Sequence, residues 1–463
     1  MHFLDTLIMI GYFILIVAIG IFGSKKAQSS EDYAVAGRRL KLPMYTGCII
    51  AVVLGGASTI GSTGLGYQFG ISGAWLVCML GLGLVLVGLF FVEKIIDLKV
   101  LTISEFLKRR FNGQAQTLSA LVAAIYALMV SATQIISLGT ILQSILGWDT
   151  TLSMLVVGFF VFLYTVIGGM WALTLTDFIH FIVITVGILF LLLPFSIHQV
   201  GGISALLSSV PKSYLSFSTI GWPTIFQYFL LYGLGVIIGQ DIWQRVFTAK
   251  TETVAKTGTV LAGIYSMIYG LAVAIIGMCA FIALPTITNP QVVFSQSVID
   301  FLPPGVTGIV LAAVVAALMS TASGTLLASA TLLTNDLLTP LFERRNSQFS
   351  YMKVIRIATA GLGGIAIFTA VIVGNVISAL NIAYAFLTGT LFIPIIAAFF
   401  WKKVTAQTVT SAIFISFLAV TISLFLFSPE SILPILVGIG VNLVIILFFT
   451  LFRPSKQPAD SSS

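Results

Sequence analysis

Apolar runs of about 20 residues recur along the whole chain, and short polar or glycine-rich segments separate them. A run of that length crosses the hydrocarbon core of a bilayer as an α-helix. The pattern predicts an all-α membrane protein with thirteen transmembrane helices and no soluble domain. The predicted spans are 3–23, 43–67, 73–96, 117–146, 150–169, 173–198, 223–241, 257–285, 305–335, 354–374, 376–401, 406–427 and 430–452.

The composition agrees with this pattern. Hydrophobic residues make up 58% of the 463 positions and charged residues only 8%, whereas about a quarter of a soluble protein is charged. So little charge does not cover a water-facing particle, and no segment resembles a nucleic-acid-binding face. The first apolar run, 3–23, is longer than a signal-peptide core and follows no basic segment, so we expect it to remain as a transmembrane helix.

The basic residues fall on one side of the predicted topology. Of the 22 lysines and arginines, only Lys212 lies in a connection on the opposite side. Arg245, which follows the seventh span, is counted among the basic residues on the side opposite to Lys212. Because cytoplasmic connections carry the excess of basic residues, we expect the N-terminus outside the cell and the tail, 453–463, in the cytoplasm. The sequence therefore predicts a multi-pass protein of the plasma or inner membrane.

Glycines and small polar residues interrupt two of the predicted spans. The second span has Gly55 at its middle, followed by Ser58, and the seventh has Gly239 before Gln240 and Asp241. Glycine in membrane helices commonly serves close packing, but it also suits a helix that unwinds where its backbone lines a cavity. Interruptions at corresponding places in two halves are typical of an inverted-repeat transporter with a site near the membrane midplane.

Polar side chains inside two other spans are candidates for an ion path. Ala317, Ser320 and Thr321 stand at i, i+3 and i+4 and share one helical face. A carbonyl and two hydroxyls there suit a small alkali cation, although such hydroxyls also bond to carbonyls one turn earlier. In the sixth span, Asp177 belongs either to a cation path or to a pair near the interface, with His180 as the candidate partner.

Four segments resemble the sodium:solute symporter family, which includes the sodium/proline and sodium/glucose cotransporters. They are IAVVLGG followed by IGSTGLGY in the second span, the pattern of Gly168, Gly169, Ala172, Thr176 and Asp177 in the sixth, GQDIWQR at 239–245 and LMSTAS at 318–323. The resemblance implies a leucine-transporter-type fold of two inverted five-helix repeats, 43–198 and 223–401. One helix, 3–23, precedes the repeats, and two helices within 406–452 follow them.

The resemblance also implies sodium as the coupling ion. The implied ligands are the carbonyls of Ala51, Leu54 and Ala317 and the hydroxyls of Ser320 and Thr321. Asp177 and Ser323 match a cation path in the family. Members that hold a second sodium ion there have a hydroxyl where this chain has Gly324, so we expect one tightly coupled sodium ion per solute.

The solute cannot be identified from these residues. Sugar-transporting members carry amide and acidic side chains in the unwound segment, where this chain has small or apolar ones, so a sugar would lack hydrogen-bond partners. The residues expected to line the solute site are Gly55, Ser58, Gln134, Gln240, Asp241 and Asn381, with core packing as the alternative role for each. Asp241 either faces the cavity, where it favours a cationic group, or pairs with Arg245 at i+4.

These features predict a secondary active symporter that couples inward sodium flow to uptake of a small organic solute by alternating access. A proton-coupled or uncoupled facilitator, a channel and a transporter-derived nutrient sensor are the alternatives. A channel would show repeated polar rings, and a sensor usually carries an appended soluble domain. No enzyme is expected, because no catalytic constellation recurs at membrane depth. We expect the bilayer and the solute as partners, with no nucleic acid and no obligate protein partner.

Overall fold

A computed structural model describes residues 2–24, 36–344 and 351–452. Within these ranges the chain is helical and forms no β-strand, which confirms the predicted all-α class. Outside the helices, backbone hydrogen bonds join Leu40 to Thr248 and Lys250. The predicted cytoplasmic tail, 453–463, lies outside the described residues, and so do the basic residues within it.

The first half of the chain contains ten α-helices. They are α1 (Phe3–Ser24), α2 (Leu42–Val53), α3 (Ser62–Phe69), α4 (Trp75–Leu86), α5 (Val92–Asp97), α6 (Ile103–Arg110), α7 (Gly113–Leu146), α8 (Thr150–Ile184), α9 (Leu193–Gln199) and α10 (Ile203–Ser209). Turns of π-helix precede α3 and connect α4 to α5 and α8 to α9. Local sequence sets the bounds of α7, because the Asn112 side chain caps its first turn and Gly147 ends it in a left-handed conformation.

The second half contains ten more. They are α11 (Trp222–Tyr228), α12 (Gln240–Val246), α13 (Glu252–Ala283), α14 (Val293–Phe301), α15 (Val306–Thr331), α16 (Thr339–Arg344), α17 (Tyr351–Val373), α18 (Val376–Phe400), α19 (Ala406–Leu426) and α20 (Leu433–Phe452). Turns of π-helix follow α11 and α15. Thr251 and Thr405 cap α13 and α19, because each hydroxyl oxygen accepts a hydrogen bond from a backbone N–H group in the first turn of its helix.

The apolar helices agree with the predicted spans in position. Nine helical runs in the described residues are long and apolar enough to cross a membrane, and a tenth, Trp222–Ile238 with Gln240–Val246, is bent by 44°. Shorter apolar stretches are Phe3–Ile16, Leu42–Val53 and Thr150–Leu163. The total of thirteen spans stays a prediction. Two predicted connections are helical instead. The run Ala57–Asp97 passes through 68–72 by way of a 3-10 turn, and α8 continues through 170–172, where no proline interrupts its hydrogen bonding.

The bundle has a buried centre and a lipid-type periphery. Of an 18-residue apolar stretch in α15 and its continuation, 89% is buried, whereas only 28% of the corresponding stretch in α20 is buried. The outer helices expose large apolar side chains such as Phe368 on α17 and Phe425 on α19. Apolar surface of this extent is stable against hydrocarbon rather than water. The predicted ion ligands on α15 therefore lie far from the periphery.

The first helix is held against the start of α15. Asp5 is buried, and its Oδ1 accepts hydrogen bonds from the backbone N–H groups of Gly305 (2.6 Å) and Gly308 (2.9 Å). A carboxylate satisfies the free amides that every helix N-terminus leaves. A Cβ atom at Gly308 would lie 2.7 Å from Asp5 Cα, so this close approach requires glycine.

Helices α4 and α13 cross where two glycines meet. A Cβ atom on Gly81 would lie 2.6 Å from the Gly263 carbonyl oxygen, and one on Gly263 would lie 2.5 Å from the Gly81 carbonyl oxygen. Both obstacles are backbone atoms, which cannot rotate away as a flexible side chain does. Small residues at a crossing allow membrane helices to approach closely, so the contact depends on both glycines.

Replacing Gly263 by leucine is expected to destabilise the protein by about 1–3 kcal/mol, because overpacking separates α4 from α13. The measurement is the unfolding midpoint of the purified protein in detergent. Gly361→Leu is the control, since a Cβ atom at Gly361 on α17 would meet nothing within 4 Å. Equal midpoints for the two variants would contradict the close crossing.

Candidate functional site

The first helix break lies between α2 and α3. Helix α2 ends at Val53, Leu54 has ψ of 55°, and helical conformation resumes at Gly56. The Gly56 N–H donates to Gln134 Oε1 at 2.6 Å, so a side-chain amide on α7 replaces the helical acceptor. A Cβ atom at Gly55 would lie 2.6 Å from the same oxygen, which is why α7 requires glycine here. The unwinding that the glycines predict is present.

The second break lies at Gly239, between the turn at 236–238 and α12. Gly239 has extended backbone (φ −69°, ψ 125°), and α12 begins at Gln240. The preceding turn packs closely on α18, because a Cβ atom at Gly235 would lie 2.6 Å from Thr388 Oγ1 and would overlap the Tyr384 ring. The break brings Asp241 into the first turn of a short helix beside the centre of the bundle.

The predicted sodium ligands on α15 meet α2. Thr321 Oγ1 lies 3.1 Å from the Ala51 carbonyl oxygen and 3.2 Å from the Ala317 carbonyl oxygen, and it donates to them. Three of the five predicted ligand atoms are therefore adjacent, and Leu54 follows one turn after Ala51. Ser320, the next candidate, donates its hydroxyl proton to Asp177 Oδ1.

A buried ion pair lies next to these hydroxyls. Arg245 Nη2 is 3.3 Å from Asp177 Oδ2, and each side chain is 1% exposed. The sequence predicts Arg245 among the cytoplasmic basic residues or paired with Asp241 at i+4; its ion pair is instead with Asp177 on α8, in the buried middle of the bundle. His180 is not the partner of Asp177, since its Nδ1 lies 2.8 Å from the Tyr12 hydroxyl.

Glycine at position 324 makes room for this pair. A Cβ atom at Gly324 would overlap Arg245 Nη2 and would lie 3.1 Å from its Cζ. Arg245 Nε and Nη1 are buried and make no hydrogen bond with the described residues. Ser323, the other predicted cation-path residue, donates to the Met319 carbonyl one turn earlier at 2.8 Å. The space beside Asp177 is therefore filled by a guanidinium group.

A small central cavity separates the two breaks. Its volume is about 30 Å³, and its lining includes Gly55, Ser58, Gln134, Asp241 and Thr321. A cavity of this volume holds one or two water molecules or a single cation, and an organic solute needs several times more room. Four of the six predicted solute residues thus lie around one space that also touches the predicted ion site.

The remaining two predicted solute residues lie elsewhere. Asn381 lines a larger cavity of about 440 Å³, which opens at one end of the bundle between residues near 68, 224, 290, 376 and 430. Gln240 lines neither cavity: its Oε1 accepts from the Ile103 N–H at 2.9 Å, and its Nε2 donates to the Leu101 carbonyl at 3.1 Å. Both ends of this amide thus connect α12 to the start of α6.

Four tyrosines connect the large cavity to Asp241. The ring centroids of Tyr228 and Tyr232 are 5.3 Å apart, those of Tyr232 and Tyr384 5.2 Å, and those of Tyr384 and Tyr126 5.0 Å. Tyr228 lines the large cavity and Tyr384 the small one. At the inner end, the Tyr126 hydroxyl donates to Asp241 Oδ1 at 3.2 Å. We call this set the tyrosine column.

The column also contacts a predicted solute residue, because the Tyr232 hydroxyl donates to Asn381 Oδ1. Tyr126, Tyr232 and Arg245 were not selected from the sequence as site residues. Tyr228 and Tyr232 stand at i and i+4, which places both on one helical face. This spacing is the one local sequence pattern that could have indicated the tyrosine column. No local pattern pairs Arg245 with Asp177, which lies 68 positions away in the chain.

The Sodium:solute symporter family model matches residues 33–416 of the chain. The sodium/glucose cotransporter of Vibrio parahaemolyticus is 26% identical over 453 residues, covering 88% of this chain and 82% of that protein. The high-affinity proline transporter of Bacillus subtilis is 27% identical over 408 residues, covering 84% and 85%.

Solved structures show the same fold. A sodium-coupled sialic acid symporter, solved in a substrate-bound outward-open state, has a TM-score of 0.85 at 19% identity and covers 99% of both chains. Mhp1, a nucleobase-cation-symport-1 family transporter, has a TM-score of 0.57 at 13% identity and covers 91% of this chain and 95% of its own. These are transporters of the leucine-transporter-type fold, which confirms the fold expected from the motifs.

Breaking the buried pair is expected to be costly. Asp177→Asn and Arg245→Gln each leave a charge without its partner and should lower the free energy of unfolding by about 3–5 kcal/mol. The double variant leaves neither charge and should recover part of that loss. Chemical unfolding of the purified protein measures all three.

The control is the exposed pair Glu93–Lys256, whose side chains are 54% and 43% exposed. Glu93→Gln should leave the unfolding midpoint almost unchanged, because exposed pairs contribute little. Strictly additive losses in the Asp177 and Arg245 variants would contradict a direct interaction between them.

Proposed function

The chain belongs to the sodium:solute symporter family, and from this premise we propose that it couples inward sodium movement to uptake of a small organic solute by alternating access. The observation that carries the proposal is the Thr321 hydroxyl, 3.1 Å from the Ala51 carbonyl oxygen. This contact connects α15 to α2 one turn before the break that lines the central cavity. An ion bound there therefore stabilises the same backbone that would hold the solute.

Sodium is the proposed coupling ion. Its proposed ligands are the carbonyl oxygens of Ala51, Leu54 and Ala317 and the hydroxyl oxygens of Ser320 and Thr321. These are hard, neutral oxygens, which suit a small alkali cation and disfavour soft metals. Asp177 accepts a hydrogen bond from Ser320, and its negative charge favours a cation nearby. Together with Ser323, it would mark the path by which the ion leaves.

One sodium ion per solute is the proposed stoichiometry. The Arg245 guanidinium lies beside Asp177 and Gly324, where a second cation would need to bind. A cation at that point would be repelled by a fixed positive charge at close range. Glycine at position 324 also supplies no hydroxyl ligand. Both features disfavour a second sodium ion.

The large cavity is proposed to be the entrance from outside the cell. The basic residues of the connections support an outside N-terminus, and only Lys212 falls on the opposite side even when Arg245 is removed from the count. In that topology, the residues near 68, 224, 290 and 376 lie at the outer ends of their spans. The tyrosine column would then be the barrier that a solute crosses to reach the central cavity.

The architecture proposed with this function has thirteen spans and two inverted repeats, 43–198 and 223–401. The repeats are preceded by 3–23 and followed by two helices in 406–452. The helix breaks at 54–55 and 239 each lie near the start of a repeat. Broken helices at corresponding positions of the two repeats are typical of inverted-repeat transporters. The proposed solute contacts are Gly55, Ser58, Gln134, Asp241 and Asn381, with Gln240 as a residue that holds α12 in place.

Ser320→Ala and Thr321→Ala are each expected to raise the sodium concentration for half-maximal uptake by about tenfold, because a lost ligand worth about 1.4 kcal/mol changes affinity tenfold. The measurement is solute uptake into proteoliposomes at graded external sodium. Thr325→Ala is the control, since that hydroxyl bonds only within α15, to the Thr321 carbonyl at 2.9 Å and the Ala322 carbonyl at 3.2 Å. Sodium dependence unchanged in both site variants would contradict the ligand assignment.

Sodium activation of uptake should be hyperbolic, with a Hill coefficient of about 1, because Arg245 excludes a second ion. The same proteoliposomes measure this when labelled sodium and labelled solute are counted together. A flux ratio of about two sodium ions per solute would overturn the proposed role of Arg245 while leaving sodium coupling intact.

A further inference from the structure

The lining of the central cavity includes one buried carboxylate, Asp241. Asp241 is 4% exposed and lines the cavity, and its Oδ1 accepts one hydrogen bond, from the Tyr126 hydroxyl. Among the described residues, no cationic side chain forms an ion pair with Asp241; Arg245, one turn further along α12, lies close enough to interact with it but forms its ion pair with Asp177. A buried carboxylate in a membrane protein is costly unless a positive group offsets it. The cavity is the space next to this carboxylate where the positive group of a ligand could bind.

The charges around the cavity limit the total charge of that group. Among the described residues in the middle of the bundle, the buried charged side chains are Asp177, Asp241 and Arg245, whose formal charges sum to −1. Asp5 and Asp336 are also buried but lie on the order of 20 Å from Thr321 along α15 and its continuation. One sodium ion brings the middle of the bundle to zero. A solute that leaves it neutral therefore has no net charge.

These two conditions together select a zwitterion. Local complementarity requires a positive end beside Asp241, and overall neutrality requires a negative end elsewhere on the same solute. The negative end would face the sodium ion, because Thr321 belongs both to the ion site and to the cavity lining. Three pairs would then cancel: Asp177 with Arg245, Asp241 with the ammonium group, and sodium with the anionic group.

The aromatic residues next to Asp241 fit the same ligand. Tyr126 and Tyr384 meet edge to face at 5.0 Å between ring centroids, directly beside the carboxylate. Tyrosine faces attract ammonium groups through the ring quadrupole. A sugar, by contrast, needs hydrogen bonds for every hydroxyl, and the Ser58 and Gln134 side chains already bond within the protein, to Val53 and to Gly56 and Val130.

We propose that Asp241 is the specificity-determining residue of this symporter and that it binds the ammonium group of a small zwitterion of the amino-acid type. The inference rests on the proposed function, because it assumes one sodium ion in the adjacent site. Tyr126 is a positioning residue, which orients the carboxylate by its hydrogen bond. The solute enters only when Tyr384 moves, since the cavity of about 30 Å³ is too small for it.

The test measures ligand-induced shifts of the unfolding midpoint of the purified full chain in sodium and in potassium. The probes are L-alanine and L-proline as zwitterions, propionate and cyclopentanecarboxylate as their anionic counterparts without the amine, and D-glucose as a neutral sugar. The wild-type protein is expected to be stabilised by at least one zwitterion in sodium and by neither carboxylate. Stabilisation by glucose alone, or by no zwitterion, would overturn the proposal.

Asp241→Asn should weaken zwitterion affinity by about tenfold or more and should shift preference toward the matching carboxylate, because the site with sodium then has a net charge of +1. Asp336→Asn, which alters a buried carboxylate bonded to Gln116 at 2.8 Å, is the matched control and should keep the wild-type preference. Tyr126→Phe keeps the ring and should weaken zwitterion binding less than Asp241→Asn does.

Sodium binding separates this proposal from the proposed function. A sodium-induced shift retained in Asp241→Asn, together with lost zwitterion binding, supports Asp241 as the ammonium ligand. Zwitterion affinity unchanged in Asp241→Asn would overturn the assignment and leave sodium-coupled symport standing. Absence of any sodium effect on the wild-type protein would contradict the symport function itself, and with it the inference.

Discussion

In a membrane interior, every backbone N–H and carbonyl group must find a partner inside the protein, so a broken helix is possible only where other residues replace its hydrogen bonds. The site depends on this constraint. At the first break, Gln134 supplies the acceptor for Gly56, and glycines at 55 and 56 let α7 come close enough to do so. At the second, the closely packed turn before Gly239 leaves α12 beside the same space. The cavity lies between these two interrupted helices, and residues from both line it.

The buried charges at the centre are subject to the same requirement, because each charged group also needs a partner inside the protein. Asp177 and Arg245 belong to α8 and α12, and each offsets a charge that would otherwise be buried alone. Their pairing leaves Asp241 without an ion-pair partner among the described residues and places a carboxylate next to Ser320. An ion at Ser320 and Thr321 would thus contact α15, α2 and, through Asp177, α8. One small cation would hold three helices together, which is what coupling between ion and solute requires.

Local patterns in the sequence predicted the features that depend on neighbouring residues. The apolar runs, the glycine-marked unwinding at 54–55 and the hydroxyls at 320 and 321 all follow from spacing within one helix. The Asp177–Arg245 pair does not, because its members are 68 positions apart and no spacing rule relates them. The sequence also does not predict the direction of the Gln240 side chain, since that direction depends on where α6 packs. The tyrosine column joins three helices, of which only Tyr228 and Tyr232 share a local pattern.

The two cavities differ so much in volume that binding of a solute at the proposed site beside Asp241 requires a change in structure. About 440 Å³ is open on one side of the tyrosine column and about 30 Å³ on the other. A solute that reaches Asp241 must therefore displace Tyr384, and Tyr384 lies against Tyr232, Tyr126 and the turn at Gly235. A ligand shifts a conformational equilibrium only by its difference in affinity between the two states. Tyr126 also bonds to Asp241, so the carboxylate proposed to bind the positive end of the solute lies at the inner end of the tyrosine column. In that proposal, binding of the solute and movement of the column are directly connected.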